Sequence, residues 1–82
     1  MTIVVYTTCS SGEDPLSLDT QRIFLDPAVA KEQLKRDYKC VVDQVSRYGE
    51  IESTLSDNAY EVKLIEDDCT TIYKGILWEH NI

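Results

Sequence analysis

The chain has 82 residues, of which 43% are hydrophobic and 28% are charged, and its eight basic and fifteen acidic residues give a formal net charge of −7. This length predicts a single domain over residues 1–82, and the acid excess argues against direct contact with nucleic acid or with an anionic membrane. Three widely spaced cysteines, the lack of a leader pattern, and the lack of any run approaching roughly 20 apolar residues favour the cytoplasm.

The N-terminal part of the chain predicts two strands. Residues 2–9 are β-branched or aromatic on both alternating sets, which is typical of a strand that is central in its sheet or covered by a helix. The Gly, Pro and Ser content of residues 10–15 predicts a loop. Residues 16–25 are ambiguous except at 22–25, where Arg-Ile-Phe-Leu predicts a short strand, and the length of the preceding loop allows this strand to return antiparallel beside the first.

Residues 27–48 predict a long amphipathic helix. Asp26 is a preferred N-cap, Pro27 suits the first helical position, and Gly49 suits the position after the last turn. Apolar residues three and four positions apart form one stripe along this segment. That stripe consists of Ala30, Leu34, Tyr38, Val41, Val42, Val45 and Tyr48.

The C-terminal part predicts a hairpin. Residues 50–58 fit either a short strand with a turn or an irregular segment. Residues 59–66 alternate between apolar and charged positions, and residues 70–79 supply the second arm after a turn at 66–69. Gly75 inside that arm indicates a bulge or a close packing contact.

Together these elements predict an α+β fold, in which an antiparallel sheet of four to five strands packs on one long helix in two layers, with ββα followed by the hairpin. The helix stripe needs an apolar sheet face to cover. The sequence predicts that one face of the first strand supplies it together with Tyr60, Val62, Leu64, Ile72, Ile76 and Trp78.

The segment VVYTT at residues 4–8 precedes Cys9 and resembles the opening strand of glutaredoxin-like redox proteins. Those proteins depend on a Cys-x-x-Cys pair, because the second thiol resolves the mixed disulfide. Here the sequence from Cys9 reads Cys-Ser-Ser-Gly, and a Cys–His dyad has only His80 to draw on. We therefore interpret Cys9 as a buried or half-buried residue at a strand end, and we predict no catalytic residue and no enzyme activity.

The spacing of the cysteine, histidine and acidic residues can be compared with the spacing that metal and cofactor sites require. Cys9, Cys40, Cys69 and His80 include the ligand types of a zinc site, but no two of them have the close spacing of a zinc knuckle. The acidic run at 66–68 lacks the alternation and the glycine of a calcium loop and is typical of a solvated turn. No Gly-rich phosphate loop occurs. The sequence thus predicts neither a metal nor a cofactor.

Residues 49–82 hold eight acidic and two basic residues, whereas residues 27–48 carry a net charge of +2. We predict a partner-binding acidic face drawn from Glu50, Glu52, Asp57, Glu61, Glu66, Asp67, Asp68 and Glu79. Carboxylates two apart on a strand repeat at about 6.6–6.8 Å, or about two base steps of a DNA strand, which suits the basic channel of a nucleic-acid enzyme. The alternative is an ordinary solvated face.

Aromatic residues form a second set of candidate contacts. Tyr48, Tyr60, Tyr73 and Trp78 belong to the residue types favoured at binding hot spots, and the alternative is that most of them fill the core. An unpaired sheet edge is a third possibility, for a partner's strand or for a second copy of the chain.

In its length, acid excess, strand–helix–hairpin layout and lack of a catalytic motif, the chain resembles the small acidic proteins of phages and mobile elements, including anti-CRISPR proteins. The resemblance implies a non-catalytic inhibitor or regulator that binds a protein in the host cytoplasm, such as a nucleic-acid-binding enzyme with a basic surface. The alternative function is a small structural or assembly protein that forms a homodimer or larger assembly through an edge strand or the helix face.

Overall fold

The computed structural model describes residues 1–11 and 20–82, which form one helix and five strands. In chain order these are β1 (Thr2–Ser11), β2 (Thr20–Phe24), α1 (Pro27–Val45), β3 (Glu50–Leu55), β4 (Ala59–Ile65) and β5 (Thr70–Asn81). All neighbouring strands are antiparallel, the sheet order is β2-β1-β5-β4-β3, and α1 packs across one face. The predicted α+β class, with one antiparallel sheet and one helix, is confirmed.

β1 is an interior strand, as its two apolar faces predicted. It pairs with β2 on one side and with β5 along its whole length on the other. This pairing continues to Ser11 opposite Ile72, so residues 10 and 11 belong to the strand and not to the predicted loop. The remainder of that loop prediction falls in residues 12–19, outside the described part of the chain. β2 then returns antiparallel beside β1, the arrangement that the loop length allowed, and it spans Thr20–Phe24 rather than the predicted 22–25.

The start of α1 follows the sequence prediction. Asp26 has an extended backbone, with φ of −116°, and its Oδ1 accepts a hydrogen bond from the Ala28 N–H at 2.9 Å. This bond satisfies one of the backbone donors that a helix leaves unpaired in its first turn. Pro27 occupies the first turn, where its missing N–H costs nothing.

The end of α1 differs from the prediction. The helix ends at Val45 rather than at residue 48, and a tighter turn follows in which the Tyr48 N–H donates to the Val45 carbonyl oxygen at 3.0 Å. Tyr48 therefore leaves the apolar stripe and is 74% exposed. The chain needs this turn to reach β3, because Gly49 passes close to β4: a Cβ there would lie 3.3 Å from the Ile65 carbonyl oxygen.

The core lies between α1 and one face of the sheet. The alternation predicted for β4 is confirmed, since Tyr60, Val62 and Leu64 are all buried. The open question about residues 50–58 is settled as a strand followed by a turn. The principal buried cluster consists of Val4, Tyr6, Ala30, Leu34, Tyr60, Val62 and Leu77.

β5 turns the opposite face toward the helix from the one predicted. Its register with β4 pairs Tyr60 with Gly75 and Val62 with Tyr73, so odd-numbered β5 residues share the helix side with the buried β4 residues. The prediction that Ile72, Ile76 and Trp78 complete the helix-facing surface is therefore wrong. Both alternating sets of β5 residues are apolar, so the sequence pattern alone does not show which set faces the helix. The register of β5 against β4 decides it, and the 66–69 turn fixes that register.

Candidate binding surface

The sheet face that α1 does not cover, called the open face here, carries an exposed apolar patch. Its members are Ile3, Val5, Ile23, Ile76 and Trp78, defined as the open-face patch. Strand pairing places Ile23 directly beside Val5, and Val5 directly beside Trp78. Ile23 is 67% and Trp78 is 54% exposed, and no described element packs over them. Contiguous exposed apolar residues of this kind mark interaction sites.

A signal for this patch was present in the sequence. β1 and β5 are both apolar on two faces, whereas a helix covers only one face of a sheet. With two strands that are apolar on both faces and one helix, apolar surface on the second face of the sheet stays uncovered. Ile76 and Trp78 were predicted to face the helix, although Trp78 was also a candidate contact residue, so the apolar patch itself was not predicted.

Beside the patch the open face carries charges of both signs. Glu61 lies between two lysines, at 3.5 Å from Lys63 Nζ and 3.4 Å from Lys74 Nζ. Strand pairing places Glu52 opposite Lys63, and Glu50 lies further along the same edge strand. The two lysines nearly balance the three carboxylates, so this face carries little of the chain's net charge of −7. The predicted binding residue Glu61 is thus already paired within the protein.

The remaining predicted carboxylates are divided between the two ends of the sheet. Glu50 pairs with Ile65, the residue before the 66–69 turn, so Glu50, Glu66, Asp67 and Asp68 share one end, called the acidic end here. Asp57 lies in the turn between β3 and β4, about 20 Å away along the strand direction. Glu79 lies near Asp57, where both line a groove. The structure therefore brings Glu50, Glu66, Asp67 and Asp68 to one end, with Glu52 two residues along the same strand face from Glu50, and it places Asp57 and Glu79 at the other end.

Cys9 is exposed, so its interpretation as a buried or half-buried residue is wrong. The cause is strand parity, because Val4 and Tyr6 point to the core and Cys9 belongs to the opposite set, on the open face. Cys9 lies opposite Lys74, six residues along β5 from His80, which is about 20 Å. The structure does not bring Cys9 and His80 into a dyad.

The other two cysteines lie elsewhere. Cys40 is exposed on α1, and Cys69 is half-buried in the turn before β5. Within residues 1–11 and 20–82, no group of three or more His, Cys, Asp or Glu side chains is placed to hold a metal ion.

A partly buried polar network connects α1 to the sheet. The Tyr6 hydroxyl donates to Asp37 Oδ2 at 2.5 Å, and Gln33 Nε2 donates to the other carboxylate oxygen at 2.9 Å. Burial, and next the hydrogen bond to Asp37, raise the pKa of Tyr6, and burial raises the pKa of Tyr60. Both phenols therefore remain neutral at physiological pH. We interpret this network as structural, since it bridges the two layers of the core.

The raised pKa of Tyr6 predicts a loss of stability at alkaline pH. Above about pH 10 the unfolded chain releases the Tyr6 proton while the folded chain retains it, so the free energy of unfolding falls as pH rises. Tyr6→Phe is expected to reduce this alkaline loss by about 1 kcal/mol near pH 11, as measured by urea unfolding relative to pH 8. Tyr48→Phe, at an exposed tyrosine, serves as the control. An unchanged alkaline slope in Tyr6→Phe contradicts the assignment.

Comparison of the chain with protein-family models, with curated proteins and with solved structures finds no match in any of the three. The anti-CRISPR resemblance and the function it implies therefore stay predictions. In the described part of the chain, no helix combines the length and the apolar character needed to cross a membrane.

Proposed function

We propose that the protein is a non-catalytic binding protein, an inhibitor or regulator that docks another protein on the open face of its sheet. The observation that carries the proposal is the row formed by Ile23, Val5 and Trp78 on the uncovered face. Trp is favoured at binding hot spots, and a half-exposed indole flanked by aliphatic side chains offers a large apolar area to a partner. The separation of Cys9 from His80 further favours binding over thiol catalysis.

Charge indicates the kind of partner. The acidic end places four carboxylates at the far end of the sheet from the Ile23, Val5 and Trp78 row, about 27 Å along β5 from Trp78, within a chain of net charge −7. A partner with an apolar contact surface and a separate basic surface fits this arrangement, and its basic charges increase the rate of association at low salt. A nucleic-acid-handling enzyme in the cytoplasm has such a surface. This is the partner class that the anti-CRISPR resemblance implies, and it remains part of the proposal.

Affinity capture with matched variants tests the proposal. The tagged protein is exposed to a nuclease-treated bacterial lysate, and bound proteins are quantified by mass spectrometry for three forms of the bait. The Ile23→Ser/Trp78→Ser double variant is expected to lower recovery of the partner about tenfold or more, corresponding to a loss of at least about 1.4 kcal/mol. Tyr48→Ser removes an aromatic residue that is more exposed than Trp78 but lies outside the open face, and it is expected to bind like wild type.

A second substitution separates the two parts of the surface. Glu66→Gln/Asp67→Asn/Asp68→Asn neutralises the turn at the acidic end and is expected to weaken capture mainly at low salt, because salt screens exposed charges. Equal recovery with wild type and with the Ile23→Ser/Trp78→Ser variant contradicts the proposal. Recovery of the chain alone, with a dimer by sedimentation velocity that the double variant abolishes, assigns the open face to a second copy instead. Circular dichroism confirms that each variant is folded.

A further inference from the structure

β5 extends past the end of its neighbour β4. β1 pairs with β5 as far as Asn81, whereas the ladder between β4 and β5 ends at the pair of Ala59 and Ile76. One more bond follows, in which the Leu77 N–H donates to the Asn58 carbonyl oxygen at 2.8 Å. The last part of β5 therefore has a strand on one side only.

Backbone groups alternate sides along an antiparallel strand. Because Leu77 donates its N–H toward β4, Glu79 and Asn81 aim their N–H and C=O groups to the same side. Even-numbered residues bond to β1 instead, as the two backbone bonds between Met1 and Ile82, at 3.0 and 2.7 Å, show. Glu79 and Asn81 thus form a sheet edge without a strand partner in the described part of the chain.

A groove of about 600 Å³ lies beside this edge. β5 lines it with Leu77, Trp78 and Glu79, α1 with Lys31, and the turn between β3 and β4 with residues 56–58. Unpaired strand backbone and a concave surface therefore coincide at this end of the sheet. An incoming strand in this position would continue the place of β4 beside β5.

The groove also has a chemical preference. Asp57 and Glu79 outnumber Lys31, so the charged side chains that line it favour a basic group. Side chains alternate across a strand, so Glu79 points to the helix side and Trp78 to the open face. A strand added here presents its own side chains in the same alternation, one toward Glu79 and the next toward Trp78.

We propose that this groove binds an extended segment of a partner protein by strand addition to β5, with a basic side chain near Glu79 and an apolar side chain against Trp78. The proposal goes beyond the open-face function, because main-chain hydrogen bonds to Glu79 and Asn81 provide the contact. A second copy of the chain is a poorer occupant, since its own net charge of −7 opposes entry into an acidic groove.

Amide hydrogen exchange measured by NMR tests the edge in the free protein. The amides of Glu79 and Asn81 are expected to exchange at least about tenfold faster than those of Trp78 and His80, which bond to β1. Similar protection of all four amides contradicts the proposed edge.

Peptides selected from a phage-displayed random library on the immobilised protein serve as the ligand probe. We expect selected peptides to alternate basic and apolar residues and to slow exchange at Glu79 and Asn81. Glu79→Pro removes the N–H that faces the groove and is expected to weaken peptide binding about tenfold or more, whereas Glu79→Ala keeps the donor and is expected to weaken it less. Ile23→Ser, on the open face outside the groove, is expected to leave peptide binding unchanged, which separates this site from the open-face function.

Asp57→Lys provides a second variant in case Glu79→Pro unfolds the end of β5. It reverses one groove charge in an exposed turn and is expected to lower the affinity for basic peptides about tenfold. Three results would overturn the proposal. The first is that the selected peptides protect amides of β2 or β3 instead. The second is that peptides are enriched equally on wild type and on folded Glu79→Pro and Asp57→Lys proteins. The third is that protection of Glu79 and Asn81 rises with protein concentration alone, which assigns the edge to a second copy.

Discussion

Replacing Leu34 with alanine is expected to lower the free energy of unfolding by about 2–5 kcal/mol, which is the usual range for a leucine deleted from a packed core. Leu34 is 1% exposed and lies on the helix face that covers the sheet, in one cluster with Val4 and Val62. An 82-residue domain has a total stability of about 4–12 kcal/mol, so this single change removes a large part of it. Urea unfolding followed by circular dichroism measures the effect.

Val29→Ala supplies the matched control on the same helix. Val29 is 49% exposed, so its truncation removes little buried area and is expected to change stability by about 0.5 kcal/mol or less. Because alanine has a higher helix propensity than valine, the variant can even have a slightly higher free energy of unfolding than wild type. Equal losses for Leu34→Ala and Val29→Ala are incompatible with a core between α1 and the sheet.

Gly75→Ala is expected to destabilise the protein by about 1–3 kcal/mol through steric overlap with Tyr60. A Cβ at this position would lie 2.8 Å from Cδ2 and 2.9 Å from Cζ of the Tyr60 ring, which crosses over the glycine from the neighbouring strand. The ring has little room to retreat, since Tyr60 is 5% exposed and Tyr38 packs against it with ring centroids 6.0 Å apart. The overlap outweighs the roughly 0.5–1 kcal/mol by which alanine is otherwise favoured over glycine in a strand.

A double-mutant cycle isolates that overlap. In a Tyr60→Leu background the ring is absent, and Gly75→Ala is expected to become neutral or stabilising by up to about 1 kcal/mol. The comparison uses free energies of unfolding from urea titrations of the four proteins. If Gly75→Ala costs the same in both backgrounds, contact with the Tyr60 ring is not the reason for the glycine.

The sequence predicted a structural feature correctly where that feature depends on one local interaction or one unambiguous pattern. Asp26 and Pro27 set the start of α1 because capping is a local interaction between neighbouring residues. The clean alternation of apolar and charged residues in β4 determined which residues it buries, because only one register satisfies it. Gly75 was expected to mark a bulge or a close contact, and the continuous register of β5 with both neighbours identifies the close contact.

The candidate surfaces were less predictable, since each depends on which strands become neighbours. The acidic residues after the helix suggested one face, but the strand order pairs Glu61 with two lysines and sends Asp57 to the far end. The Ile23, Val5 and Trp78 row spans three strands that are distant in the chain. A pattern within one segment of the sequence therefore cannot predict this row.

The α+β class, the helix start and the buried face of β4 could all be predicted from the sequence, because they follow from short-range periodicity and capping. Three features emerge only from the assembled sheet: Trp78 and Ile76 face outward, Cys9 is exposed, and β5 extends beyond the end of β4. These features depend on register and on relative strand length, which a chain with apolar residues on both faces of β1 and β5 leaves open. One helix covers one face of the sheet, and the apolar surface that remains is the candidate binding surface.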